Sequence, residues 1–202
     1  MITIVDYGIG NLGSMQNMFK RIGVKATIES DPKCIERSEK LVLPGVGAFD
    51  SAMTFINSIA GLREVLDHKA LVEHTPILGV CLGMQLLTRS SEEGSLAGLG
   101  WIPAATTRFP KQDGLKVPHM GWNIAKPNAA SRLTDKVGDA PRYYFVHSYC
   151  VHVDDPAHSL MKTLYGIAFD SAIGRDNIYG VQFHPEKSHR FGMQILMNFA
   201  EL

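Results

Sequence analysis

Apolar and polar positions along the first half of the chain alternate between two periods. Ile2–Val5 is a short, strand-like apolar stretch closed by Asp6. After a glycine-rich turn, Met15, Met18, Phe19 and Ile22 recur at helical spacing across residues 14–22, and Gly23 stands where a helix-ending glycine belongs. Residues 24–28 read as a second strand, stopped by Asp31-Pro32, and residues 41–43 as a third, ending in Pro44-Gly45-Val46-Gly47. Residues 49–73 are expected to be largely helical with an interruption near Gly61. Pro76 then opens a fourth strand, 77–80, which runs abruptly into Cys81 and a helical stretch from Leu82. Strands alternating with helices predict an α/β fold, a doubly wound and mostly parallel sheet with helices on both faces.

Beyond Gly94 the pieces shorten and become rich in Gly and Pro. Residues 143–153 and 178–184 read as strands and 191–202 as a closing helix, so the second half is expected to add some antiparallel strands. Without a repeat, a low-complexity tract or a long linker, one domain over residues 1–202 is expected.

Composition narrows the picture. Of 202 residues, 45% are hydrophobic and 20% charged, ordinary for a globular chain. Lys and Arg number 20, as do Asp and Glu, so charge gives no case for a nucleic acid or an anionic membrane as partner. The opening MITIVDYGIGNLGS lacks the positive leader and longer apolar core of a signal peptide. No apolar run approaches the roughly 20 residues that span a bilayer. Cys34, Cys81 and Cys150 are an odd, widely spaced set without a C-x-x-C pair. They suggest a reducing, cytoplasmic setting and argue against a disulfide framework or a metal site.

Gly8-Ile9-Gly10-Asn11-Leu12-Gly13 has the G-x-G-x-x-G form of a dinucleotide fingerprint, with Glu29 near the end of the next strand. Glycines that permit a tight turn and a close backbone approach explain it equally. Asp6 and Tyr7 would bring a carboxylate close to any pyrophosphate. The dinucleotide reading is set aside, and no cofactor is expected.

Gly79-Val80-Cys81-Leu82-Gly83 has the form of a nucleophile elbow. Small flanks let the sharp strand-to-helix turn close, and the helix N-terminus favours an anionic thiolate. The N–H of Leu82 points the same way as an oxyanion donor. Cys34 and Cys150 lack this context and read as structural. Of eight histidines, only His184, in Gln182-Phe183-His184-Pro185-Glu186, stands at a strand end with a carboxylate two residues on. In an extended segment those two side chains face the same side, so Glu186 would orient the imidazole. His119, His147 and His189 are the alternatives.

Together these segments resemble the class I (triad) glutamine amidotransferases, in which G-x-C-x-G and a late H-P-E carry a Cys-His-Glu triad on a flavodoxin-like sheet. DYGIGN, LPGVGAF, KVPHMGWN, YFVHSY and GVQFHPEKS narrow the resemblance almost end to end. They are similar to the glutaminase subunits of imidazole glycerol phosphate synthases of histidine biosynthesis. The resemblance implies a Cys81 nucleophile, a His184 acid–base and a Glu186 orienter. It further implies oxyanion donors from Gly45, Val46, Gly47 and Leu82, and a grip on glutamine by Gln85, Ser148 and Tyr149. Asn11, Pro118, Met120, Trp122, Tyr144 and Lys187 match segments that face a (β/α)8 cyclase partner, whose barrel conducts the ammonia. For Trp122 core packing is the competing reading. A paralogous synthase, such as one making an amidino sugar, would leave the triad unchanged. A thiol hydrolase of the same fold and a non-catalytic binding module are the remaining alternatives.

Overall fold

The computed structural model describes residues 1–202. The first half runs β1 (Ile2–Val5), α1 (Leu12–Arg21), β2 (Ala26–Glu29), α2 (Pro32–Glu36), β3 (Lys40–Gly45), α3 (Phe49–Ser58), α4 (Leu62–Leu71), β4 (Ile77–Cys81) and α5 (Leu82–Leu86). The second half is strand-rich: β5 (Ala104–Arg108), β6 (His119–Ile124), β7 (Lys126–Pro127), β8 (Arg142–His147), β9 (Tyr149–Val153), β10 (Ser159–Tyr165), β11 (Ile167–Arg175) and β12 (Ile178–Val181). Helix α6 (His189–Glu201) closes the chain.

The main sheet has the order β2-β1-β3-β4-β12-β11-β10-β7, with β9 on β11 and β5 on β9. Its β2-β1-β3-β4-β12 part is parallel, and every pairing beyond β12 is antiparallel. Parallel strands are covered on both faces, so the side-chain alternation of a strand feeds two cores. Ile2, Ile4, Val42, Leu78 and Val80 point to the core shared with Met15 and Phe19 of α1 and Phe199 of α6. Val5, Leu41, Leu43 and Ile77 point to the other, with Ile35, Phe49, Met53 and Leu66 from α2, α3 and α4. Strands β6 and β8 form a separate antiparallel ribbon. No helix is long and apolar enough to cross a membrane.

Three local expectations change, and a fourth, the interruption of 49–73 near Gly61, holds. Asn11 caps α1 by accepting from the Ser14 N–H (3.4 Å), so the helix begins two residues before Ser14. Asp31-Pro32 starts a helix rather than only ending a strand: Asp31 accepts from Lys33 N–H (2.9 Å) and Pro32 occupies the first turn. Gly61, at φ +79°, divides 49–73 into α3 and α4. Residues 143–153 are not one strand, because the chain changes sheet at Ser148 between β8 and β9.

Candidate active site

The elbow at the end of β4 is built on close main-chain approach. Cys81 holds a positive φ of 56° and heads α5, a conformation L side chains adopt only where the surroundings enforce it. What enforces it is the absence of Cβ atoms on either side. A Cβ on Gly79 would lie 2.5 Å from the Gly83 carbonyl oxygen, and one on Gly83 only 1.7 Å from that of Leu43. The Leu82 N–H, in the first turn of α5, has no intrahelical acceptor and is free to bind an anion.

Next to the elbow, β3 ends in the Pro44–Gly47 turn. A Cβ on Gly45 would come within 2.9 Å of both Leu82 Cβ and the Tyr7 hydroxyl, and Gly47 has φ +103°. Buried Tyr7 donates its hydroxyl hydrogen to the Pro44 carbonyl and so ties the β1 turn to this loop. Burial first, and then the Cys81 charge, push the Tyr7 phenol well above its ordinary range, which keeps it a donor. The Gly8–Gly13 motif serves the same packing: Gly8 and Gly10 hold φ of +91° and +127°, and a Gly10 Cβ would sit 3.4 Å from the Pro44 oxygen.

The third wall comes from the turn after β12. His184 lies beyond the strand, and Pro185–Lys187 is a 3-10 turn rather than extended chain. The expected contact forms by that different route: His184 Nδ1 donates to Glu186 Oε1 at 2.8 Å, and both side chains are buried. Ser188 anchors the turn, donating from Oγ to the His184 carbonyl (2.6 Å) and accepting from the Tyr144 N–H (3.0 Å). The His184 N–H also donates to the Tyr144 carbonyl (2.9 Å). Burial lowers the His184 pKa, yet hydrogen bonding and charge attraction from Cys81 and Glu186 outweigh it and push it up to about 10. Nε2 of His184 is buried and has no hydrogen-bond partner, which leaves it the nitrogen available to the Cys81 thiol that helps to raise the imidazole's pKa.

These walls meet at a pocket of about 340 Å³ lined by Val46, Gly47, Cys81, Leu82, Gln85, Glu93, Pro118, Val146, His147, Ser148, Tyr149 and His184. Buried Gln85 donates to the Tyr149 carbonyl (3.4 Å) and to Gln182 Oε1 (3.1 Å). Gln182 Nε2 in turn lies 3.8 Å from the Cys81 sulfur. Tyr7, Gln182 and Ser188 stood in the sequence only inside the DYGIGN and GVQFHPEKS segments with no role assigned, and His147 only as an alternative base; long-range packing brings all four here.

The residues matched to a partner face divide. Met120 (62% exposed) and Trp122 (41%) lie outward on β6, which rules out core packing for Trp122. Trp122 stacks on His189 (5.4 Å, 13° between planes), and Lys187 Nζ lies 5.8 Å from the Tyr144 ring centre. Pro118 reaches the pocket rim, whereas Asn11 acts as the cap of α1. Cys34 is exposed, and Cys150 is buried away from the pocket, its thiol pushed up to about 11 by burial.

A strained cysteine, a buried His–Glu pair and a glycine loop on one pocket suit acyl transfer from an amide. The family model "Glutamine amidotransferase class-I" matches residues 3–202. The chain belongs to the class-I glutamine amidotransferases. Within the family it is 53% identical to the imidazole glycerol phosphate synthase subunit HisH 2 of Methanococcus maripaludis, over 100% of this chain and 99% of that one. It is 48% identical to the subunit of the same name from Pseudomonas aeruginosa, over 100% of both. A solved glutamine amidotransferase superposes with a TM-score of 0.77 at 15% identity, covering 100% of this chain and 98% of that one, a likeness of fold. The fold is thus the α/β, mostly parallel, flavodoxin-like one of that amidotransferase family.

Proposed function

We propose that this protein is the glutaminase subunit of imidazole glycerol phosphate synthase. It hydrolyses L-glutamine to L-glutamate and ammonia and passes the ammonia to a (β/α)8 cyclase that forms imidazole glycerol phosphate and AICAR in histidine biosynthesis. The observation that carries the reading is the assembly of Cys81, His184 and Glu186 at one pocket, in a chain matching subunits of that synthase from end to end. Residues 1–202 act as one amidotransferase domain, in the cytoplasm.

In this mechanism the Cys81 thiolate attacks the side-chain amide carbon of glutamine. The oxyanion is met by the Leu82 N–H and by N–H groups of the Gly45-Val46-Gly47 loop, each donor lowering the barrier by about 3 kcal/mol. His184 starts protonated and gives its Nε2 proton to the departing nitrogen, leaving a thioester and ammonia. The neutral imidazole then takes a proton from the water that cleaves the thioester, releasing glutamate and restoring the thiolate and imidazolium. Glu186 accepts from Nδ1 throughout and fixes the tautomer. Gln85, Ser148 and Tyr149 hold the amino-acid end. Met120, Trp122, Tyr144 and Lys187 form the face for the cyclase, with Pro118 at the rim and Asn11 on the adjoining turn. Ammonia delivered under cover through the barrel escapes protonation and loss to solvent.

A second reading keeps this chemistry and changes the partner to a paralogous synthase, such as one making an amidino sugar. It is favoured by the designation HisH 2 that both relatives carry. The test is glutamate release from glutamine by the chain alone, with the histidine-pathway cyclase and its nucleotide ligand, and with the paralogous synthase. Strong stimulation by the cyclase, abolished in Cys81→Ser, supports the histidine assignment. Stimulation by the paralogue alone moves the pathway, and silence with both refutes the glutaminase.

A further inference from the structure

His119 on β6 and His147 on β8 are paired in register across the ribbon, and both are buried. Their surroundings are aromatic: His119 stacks on Phe145 (4.7 Å) and Tyr165 (3.9 Å), and His147 packs against Phe109 and Phe169, each 5.2 Å away. Such a setting penalises any polar atom without a partner. Here the nitrogens are all satisfied, and the partners dictate where each proton sits. His147 Nδ1 lies 2.6 Å from the Tyr149 carbonyl oxygen, which can only accept, so Nδ1 carries a hydrogen. His147 Nε2 lies 2.9 Å from His119 Nδ1, and His119 Nε2 lies 3.2 Å from the Asn123 amide nitrogen. That amide also donates to the Leu164 carbonyl (3.1 Å), which fixes its orientation. The amide therefore donates to His119 Nε2, and His119 Nδ1–H donates to His147 Nε2. A further proton on either ring would set two N–H groups against each other.

Burial alone lowers the His119 pKa to about 4. Burial, opposed by the hydrogen bond to the Tyr149 carbonyl and assisted by the neighbouring His119 and His184, lowers that of His147 to about 3. His147 thus sits beside the triad without adding a competing cation.

The geometry points to a neutral, one-way relay, Asn123 to His119 to His147, that anchors the Ser148–Tyr149 main chain against which the amino-acid end of glutamine lies. His147 is then a positioning residue for substrate binding. The inference rests on the glutaminase reading. It goes beyond that reading by giving the inward face of β6 a task separate from the outward Met120 and Trp122.

The test is steady-state glutaminase kinetics of the complex with whichever synthase subunit activates the wild type, together with 15N NMR of the histidine rings in the wild-type chain. His147→Gln, whose amide reaches the Nε2 position but not Nδ1, is expected to raise KM for glutamine about tenfold, with kcat within about threefold, as the loss of one buried hydrogen bond implies. His147→Asn restores a donor at the Nδ1 position and is expected to recover most of that loss. The NMR spectra should show both rings neutral, each carrying its proton on Nδ1, from about pH 5 to pH 8, where an ordinary histidine titrates. An unchanged KM in a folded His147→Gln, a fall in kcat alone, or a ring that titrates in that window would overturn the relay. A wild type without glutaminase activity would refute the underlying reading instead, while the spectra still report on the relay.

Discussion

Two walls of the pocket are held by different physics. The wall made by β3, β4 and α5 is set by main-chain contact: Gly79, Gly83 and Gly45 are glycines because a Cβ at each would collide with backbone or with a packed side chain. The wall made by the β6–β8 ribbon and the turn after β12 is set by side-chain hydrogen bonds, those of Ser188, Glu186, His147 and His119. The first wall positions Cys81, the proposed nucleophile, and has no graded response, since a carbonyl cannot yield the space a methyl group needs. The second positions proton-handling and binding groups, and each bond in it can be weakened singly.

Gly83→Ala is the sharpest way to break this contrast. Overpacking against the Leu43 carbonyl is expected to destabilise the fold by about 3 kcal/mol or more, or to prevent soluble expression. Urea unfolding within about 1 kcal/mol of wild type would mean that this wall is compliant after all.

On the second wall the fold should survive while chemistry suffers. Glu186→Gln is expected to lower kcat of the activated enzyme by about 10²- to 10⁴-fold through loss of imidazole orientation and charge. It should also change the pH dependence of stability. The His184 pKa is raised in the folded state to about 10, from an ordinary 6.5. Its contribution is therefore full below about pH 6.5 and lost as pH rises through about 10. The Tm difference between wild type and Glu186→Gln should be largest near neutral pH and below, and shrink toward pH 10. A gap that widens with pH would reverse the assignment.

Tyr7→Phe tests where the walls join. Leaving the Pro44 carbonyl without its donor is expected to lower stability by about 1–2 kcal/mol and kcat by a few-fold as the loop loosens. Equal activity and stability would make the hydroxyl incidental to the loop.

The difference between the walls also explains what was legible in the chain. A glycine flanking a cysteine at the end of an apolar strand leaves a mark in sequence, because only one residue type fits a main-chain contact. The α/β alternation was legible for a similar reason: strands β1, β3 and β4 are buried on both sides, and α1 on one. The second half was harder. Residues 143–153 are mostly aromatic or apolar, with only His147, Ser148 and His152 breaking the run, and nothing local marks Ser148 as the place where the chain leaves one sheet for another. The pairing of His184 with Glu186 was anticipated from extended geometry, and the structure reaches it through a 3-10 turn held by Ser188. Within KVPHMGWN, Pro118, Met120 and Trp122 were expected to face a partner, and His119 was only an alternative base. Strand alternation sends His119 and Asn123 to the relay and Met120 and Trp122 to the surface.

Sequence by itself therefore determined what is local: hydrophobic period, the glycines of the elbow and loop, and the chemistry available at Cys81, His184 and Glu186. Tertiary structure alone decided which distant groups meet. It placed Tyr7 on the Pro44 carbonyl, Gln182 beside the thiol and His147 between His119 and Tyr149. The physical reason is that a buried polar group must find a partner, and which partner is near depends on how strands far apart in the chain are packed together, not on its neighbours in sequence.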